Sequence, residues 1–286
     1  MLENRVRFRR LREALAEAPL ADARALPTDF RMFNDSIGLP ILPGTNQPHE
    51  LLPFQNKIGE YQGKDMIINK PNKCGVTEVL LRKLAWKATV GDLRTYDIIL
   101  GSSQEELAEE NLRRLENIFA NSDLLRPMVR EALVARMTLR DGTRFLTMPS
   151  NPSALRSWPR VKAVYLDEAG HLGRLDDTEY FAAASSRLAN TDGYMYIAST
   201  PRGRRGFFYN LYTAVMEGKI EMKHFEISYT EGLGVFYTQE FIDKEKARLG
   251  PRFAGEYECE FLGAENAAIE ARLFEGNMVD GEAEKL

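Results

Sequence analysis

"MIINKPNKCGVTEVLL", Met66 to Leu81, opens as an apolar strand, crosses a short polar loop and continues as a helix. A strand–loop–helix unit of this kind brings backbone N–H groups and a helix N-terminus to one point, the physical basis of a phosphate-binding loop. Laid over the pattern G-x-x-x-x-G-K-[ST], Gly75 takes the second glycine, Thr77 the Ser/Thr, and Val76 the place of the lysine. The first glycine position falls on Lys70, so a lysine is present, but seven residues upstream of Thr77 and at the strand end of the loop. From there a long, flexible ammonium arm can cross the loop to the β- and γ-phosphates. Lys73, in mid-loop, is a second candidate. The peptides from Cys74 through Gly75 and Val76 to Thr77 can cradle phosphate oxygens, and the Thr77 hydroxyl can hold Mg²⁺. Cys74 reads as a small loop residue rather than a nucleophile. Alone, the loop also fits a plain strand-to-helix connection that contains Gly and Lys.

The second signal lies downstream. "VKAVYLDEA" ends an apolar strand in Asp167-Glu168. A strand-end aspartate suits Mg²⁺, directly or through water, and the adjoining glutamate can orient and deprotonate an attacking water. The alternative is an acidic turn after a strand. One strand–helix–hairpin block separates it from the loop, the spacing an ATP-hydrolysing P-loop protein requires, so the two signals together favour ATP with Mg²⁺. Three further features fit around them. Gln55 in "LLPFQNKIGEYQ" can offer its amide to an adenine edge. "YIASTPRG" ends its strand in the hydroxyls of Ser199 and Thr200, suited to sensing a γ-phosphate. "SALRSWPRV" supplies Arg156 and Arg160, either of which can act as an arginine finger or serve the structure.

The rest of the chain is consistent with a covered, mostly parallel sheet. "YDIILGS" and "GYMYIAST" are short and almost wholly apolar, as strands buried on both faces are. "SQEELAEENLRRLENIFAN" reads as a long helix with Ser103 and Glu106 as a capping box. "MTLRDGTRFLTMPS" reads as a hairpin turning at Asp141-Gly142. After residue 206 two helical segments flank the strand "KHFEISY". The expected fold is α/β, a P-loop NTPase of the ASCE type with helices on both faces of the sheet and a small lid. The expected divisions are 1–50 (N-terminal helix and irregular connector, part of the lid), 51–205 (ATPase core), 206–262 (lid or flanking subdomain) and 263–286 (tail or linker).

Composition narrows the class without deciding it. The chain has 286 residues, 44% hydrophobic and 28% charged, with a net charge of −4. A chain of this length buries roughly 75% of its unfolded surface, so its core needs no staples. Two cysteines and three histidines form no zinc pattern or disulfide framework. No apolar run reaches the ~18 residues of a membrane span, and the Arg-rich start lacks the apolar stretch of a signal peptide. The net charge points to neither nucleic acid nor membrane, yet a local basic stripe counts for more than the total. Arg5, Arg7, Arg9, Arg10 and Arg12 lie on one helical stretch, either a solvated face or a binding arm.

In order and spacing, these features resemble the ATPase domain of the terminase large subunit, the genome-packaging motor of tailed viruses. The resemblance spans about residues 50–262 and rests on "LLPFQ" as the adenine motif, "KPNKCGVT" as a deviant Walker A, "VYLDEAGHL" as Walker B and "IASTPRG" as the coupling motif. "RFAGEYECEFLG" is similar to the segment that closes this domain. Lambda-like terminases also place the P-loop lysine at the start of the motif. The resemblance implies Lys70 as the phosphate lysine, Lys73 where another basic residue often sits, Asp167 for Mg²⁺ and Glu168 as the catalytic carboxylate. It implies Ser199 and Thr200 as the couplers of hydrolysis to movement. Arg156 resembles the family's loop arginine, with Ser157 in place of the usual glycine.

The implied partners are double-stranded DNA, a portal protein, a small terminase subunit and further copies in a pentameric ring. Arg202, Arg204 and Arg205, or the N-terminal arginines, are candidates to grip DNA. The implied setting is the cytoplasm of an infected host cell, away from membranes. Full terminases continue into a nuclease. Only 24 residues follow Leu262, readable as a linker, a natural end or a cut point, so no DNA cleavage is expected from this chain; a nuclease would lie on a separate subunit or in sequence beyond this chain. The competing expectations are a helicase-like or repair translocase and a non-hydrolysing nucleotide-binding module.

Overall fold

The computed structural model describes residues 26–42, 44–45, 47–148, 158–171 and 177–263. The N-terminal arginine helix, Arg156 and the tail after 263 lie outside the described residues. The elements run α1 (Phe30–Ser36), α2 (Pro53–Glu60), β1 (Asp65–Asn69), α3 (Val76–Thr89), β2 (Asp97–Ser102), α4 (Glu105–Ala120), β3 (Val129–Leu133), β4 (Arg136–Leu139) and β5 (Arg144–Thr147). They continue with β6 (Val161–Asp167), α5 (Asp177–Leu188), β7 (Tyr194–Ser199), α6 (Gly206–Met216), β8 (Lys223–Glu226), α7 (Gln239–Leu249) and α8 (Arg252–Tyr257).

All eight described strands form one sheet in the order β3-β4-β5-β2-β6-β7-β1-β8. From β5 to β8 every neighbouring pair is parallel, and β3-β4-β5 is an antiparallel edge. The central strands are apolar throughout because each successive side chain must enter a different core. Met66 and Ile68 of β1 join one cluster with Leu80, Leu84 and Leu112 of the helices, while Ile67 joins the opposite cluster with Phe208 and Leu211. The same alternation divides Tyr165 from Leu166 on β6 and Tyr196 from Ile197 on β7. This partition leaves no solvent face on which a polar residue would be tolerated, which explains the unbroken apolar runs.

The order places β7 between the phosphate-loop strand β1 and the acidic strand β6, which is the ASCE arrangement. Registers Asn69↔Ser199, Asp167↔Ala198 and Ser102↔Asp167 level the C-terminal ends of four adjacent strands. Ligands of open α/β sheets bind outside such ends, where the loops diverge.

Two local details differ from the sequence reading. The long helix begins at Glu105 with Gln104 in the N-cap position, so Ser103 lies one residue too early to cap and no side chain caps that end. β3 has no counterpart in the sequence reading, because "VREAL" alternates charged with apolar residues only weakly; it pairs with β4 as the exposed edge of the sheet. Past residue 206, β8 pairs with β1 and extends the central sheet.

Candidate active site

The loop between β1 and α3 takes its shape from two left-handed residues, Lys73 at φ 59° and Gly75 at φ 77°. A Cβ on Gly75 would stand 2.6 Å from Gln55 Nε2 and 2.6 Å from Phe236 Cζ, so glycine is required by space as well as by backbone angle. Val76 is buried in the main core, an anchor for the first turn of α3. The loop is held from behind by the end of the described chain. The Asn72 backbone N–H donates to Glu256 O at 3.1 Å, the Asn72 amide reaches the Glu256 carboxylate, and Tyr237 OH donates to Asn72 O. Cys74 is buried and its thiol is pushed up to about 11 by desolvation, which leaves it unreactive.

Lys70 projects from the end of β1 across β7, a distance of two strand spacings or roughly 10 Å. Its Nζ lies 2.6 Å from Glu168 Oε1 at the end of β6. Burial opposes the ammonium, but Glu168 and then Asp167 outweigh it and hold the lysine above its usual pKa. For Glu168, burial likewise works against charge, and the Lys70 ammonium with its hydrogen bond overrides it, so the carboxyl lies below its ordinary range. Lys73 is exposed at the loop tip. Of the two loop lysines, the buried, paired one is therefore Lys70.

Asp167 is fixed by three donors. Its Oδ2 accepts from Thr77 Oγ1 at 3.0 Å and from Asn111 Nδ2 at 3.1 Å, and its Oδ1 accepts from the Glu168 N–H at 3.1 Å. Glu168 itself sits at φ 50°, a left-handed angle that costs a non-glycine residue of order 1–3 kcal/mol and recurs at functional sites. The turn aims its side chain back over the sheet, toward Lys70 and toward the Thr200 amide and hydroxyl, each 3.5 Å from Oε2. The structure thus brings Lys70, Thr77, Asp167, Glu168 and Thr200 together.

Two predicted residues have other commitments. Gln55 is fully buried: its Oε1 accepts from the Leu52 N–H at 2.9 Å and its Nε2 donates to Gly75 O at 3.1 Å. Its amide therefore clamps the phosphate loop. Ser199 is also fully buried; its Oγ accepts from the Gly170 N–H and donates to Thr200 O, bracing the turn after β7. Arg160 pairs with Asp97 at the opposite end of the strands.

Asn111, outside every quoted motif, and His171, inside "VYLDEAGHL" but given no role there, also join the site. His171 Nε2 lies 2.8 Å from Thr200 Oγ1, and burial keeps its imidazole below its usual pKa despite the nearby Glu168. Asn111 is a polar break in the apolar stripe Ala108–Leu112–Leu115–Phe119 of α4, a signal visible in the sequence once the helix is known.

The Thr77 hydroxyl and the Asp167 carboxylate are hard oxygen donors, the buried Tyr165 hydroxyl lies against both, and the buried hydroxyl of Ser102, the ladder partner of Asp167, has no protein partner. That set fits a Mg²⁺ ion with its waters. No cluster of three His, Cys, Asp or Glu side chains suited to a metal is present among the described residues, and no described helix is long and apolar enough to cross a membrane.

Comparison with known proteins agrees with this geometry. No curated protein sequence matches the chain. Among solved structures, the ATPase domain of the Thermus phage P74-26 large terminase superposes with a TM-score of 0.58 at 16% identity, covering 80% of this chain and 97% of that one. The large terminase of a thermophilic bacteriophage in complex with ADP gives 0.60 at 13% identity, and that of bacteriophage HK97 gives 0.59 at 18%. These two cover 74% and 77% of this chain, which spans only 54% and 52% of theirs. At such identities the likeness establishes the P-loop ATPase fold. The sequence model for the N-terminal region of the T4-like-virus type of terminase large subunit matches residues 67–277. The chain belongs to the terminase large subunit family, in the part that forms its ATPase domain.

Proposed function

We propose that the chain hydrolyses ATP between the β1–α3 loop and the Asp167-Glu168 turn, and couples this to translocation of double-stranded DNA into a viral procapsid. The observation that carries the reading is the buried Lys70–Glu168 pair standing beside Thr77–Asp167. Lys70 serves the γ-phosphate, and the loop peptides from Lys73 to Thr77 cradle the β-phosphate. As Lys70 turns to the phosphate, Glu168 is released to orient a water and take its proton. Thr77 and Asp167 would hold Mg²⁺, which when bound neutralises and aligns the phosphate oxygens. Thr200 touches Glu168 and opens the loop that carries the exposed Arg202, Arg204 and Arg205, so loss of the γ-phosphate has a short route to a basic surface. Those arginines are the proposed DNA grip, and Arg156 the proposed finger.

The working form is a ring of copies, pentameric in the family's manner, on a portal and served by a small subunit in the host cytoplasm. Phosphate release measured with and without linear duplex tests the reading. Mg²⁺-dependent hydrolysis that duplex stimulates is expected. ATP binding with no hydrolysis under any Mg²⁺ or DNA condition would make the chain a binding module instead.

A further inference from the structure

We infer that Asn111 is a positioning residue for the metal side of this site, setting its Mg²⁺ requirement through Asp167; the inference rests on the ATPase reading above. Asn111 is 4% exposed, lies 56 residues before Asp167, and donates to the same Oδ2 that accepts from Thr77. One oxygen of the carboxylate is thus claimed by two donors from different helices, and the other by the Glu168 backbone. With three donors in place the carboxylate plane is fixed before any ion arrives.

The chemistry favours an amide at this position. A lysine or arginine there would neutralise Asp167 and compete with the cation, and a carboxylate would repel the Asp167 carboxylate and push it out of place. An amide N–H₂ orients the oxygen, carries no charge and does not titrate. Burial makes the bond matter, since a polar group on the core-facing stripe of α4 costs stability unless it is paired. A second group of the same β2–α4 unit points the same way. Ser102 is the ladder partner of Asp167, so its side chain leaves the same sheet face, and its hydroxyl is buried without a protein partner. A water of the metal's shell would complete it. Outer-sphere partners of this kind commonly govern metal affinity as strongly as some direct ligands do.

The test reads binding rather than turnover. Calorimetric affinity of the full chain for ATPγS is followed across a free-Mg²⁺ titration and in EDTA. Asn111→Leu, which keeps the volume and removes the donor, should raise the half-saturating Mg²⁺ by about tenfold or more while metal-free affinity stays near wild type. Asn111→Asp also removes the amide donor but sets a second carboxylate beside the cation, so its Mg²⁺ requirement should fall as pH rises and that carboxyl ionises, a trend an untitratable amide does not produce. Wild-type Mg²⁺ dependence in both variants, whatever happens to their melting temperature, would make Asn111 a packing residue and overturn the inference. A wild-type chain that binds no ATPγS at any Mg²⁺ level would overturn the ATPase reading, and this assignment with it.

Discussion

Lys70 Nζ stands 2.6 Å from Glu168 Oε1, joining the ends of two strands that are not neighbours in the sheet. The lysine is 4% exposed and the glutamate 28%, so neither charge is fully hydrated and each depends on the other. A γ-phosphate entering the loop must compete with Glu168 for the same ammonium. On the proposed reading, the site would hold its base in check until the group to be cleaved has arrived.

Glu168→Gln follows from this competition. The variant no longer has an ion pair to break, so it should bind ATP more tightly than wild type, by roughly tenfold, while hydrolysis falls by about 10²-fold or more. Equilibrium binding of a nucleotide analogue beside single-turnover hydrolysis checks both halves. Equal affinity for the two proteins would mean that the pair is not the gate.

Gln55 provides a test of how the base is recognised. Its amide bonds Leu52 and Gly75 within the protein, so Gln55→Glu should set a carboxylate against the Gly75 carbonyl and distort the phosphate loop. ATP and GTP affinities should then fall together. A loss confined to ATP would show direct reading of the adenine edge.

Gly75→Ala should be more damaging than a surface glycine change. It meets a positive φ and two contacts at 2.6 Å, and an alanine forced into a left-handed backbone costs about 1 kcal/mol before any clash. Nucleotide binding should be lost and the denaturation midpoint lowered. An unaltered affinity would contradict the proposed cradle.

Lys83 predicts a pH dependence away from the reaction. Its Nζ donates to Gly59 O and Tyr61 O, tying the end of α2 to α3, and burial, aided by Lys87, lowers its pKa to about 7. The unfolded lysine titrates near 10.4, so between these values the unfolded chain binds more protons than the folded one. Stability should therefore rise with pH from about 7 to about 10, with a slope approaching about 1.4 kcal/mol per unit. Denaturant midpoints across that window should show this rise in wild type and a flatter profile in Lys83→Met. The same slope in the variant would assign it elsewhere.

Much of the fold is legible before any coordinates, because strands buried on both faces have little choice of residue. "MIIN", "DIILGS" and "YMYIAS" announce themselves through apolarity alone. The weak alternation of "VREAL" hides β3, whose role as an edge leaves half its residues free to be charged. Helix starts depend on a single residue's geometry, which is why Ser103 misleads as a cap. At the site, Lys70, Asp167 and Glu168 are marked by position at strand ends, and Thr77 by its place in the first turn of α3. Asn111 shows only as a polar break in the apolar stripe of its helix, because its meaning comes from a carboxylate 56 residues away, and the internal bonds of Gln55 and Ser199 arise from packing rather than motif.

The central claim is that the phosphate lysine sits at the start of the loop, and steady-state ATP hydrolysis by Lys70→Ala and Lys73→Ala beside wild type tests it most directly. Lys73 is exposed at the loop tip and Lys70 is buried against Glu168. Lys70→Ala should abolish hydrolysis while Lys73→Ala retains most of it; full activity in Lys70→Ala with loss in Lys73→Ala would contradict the account.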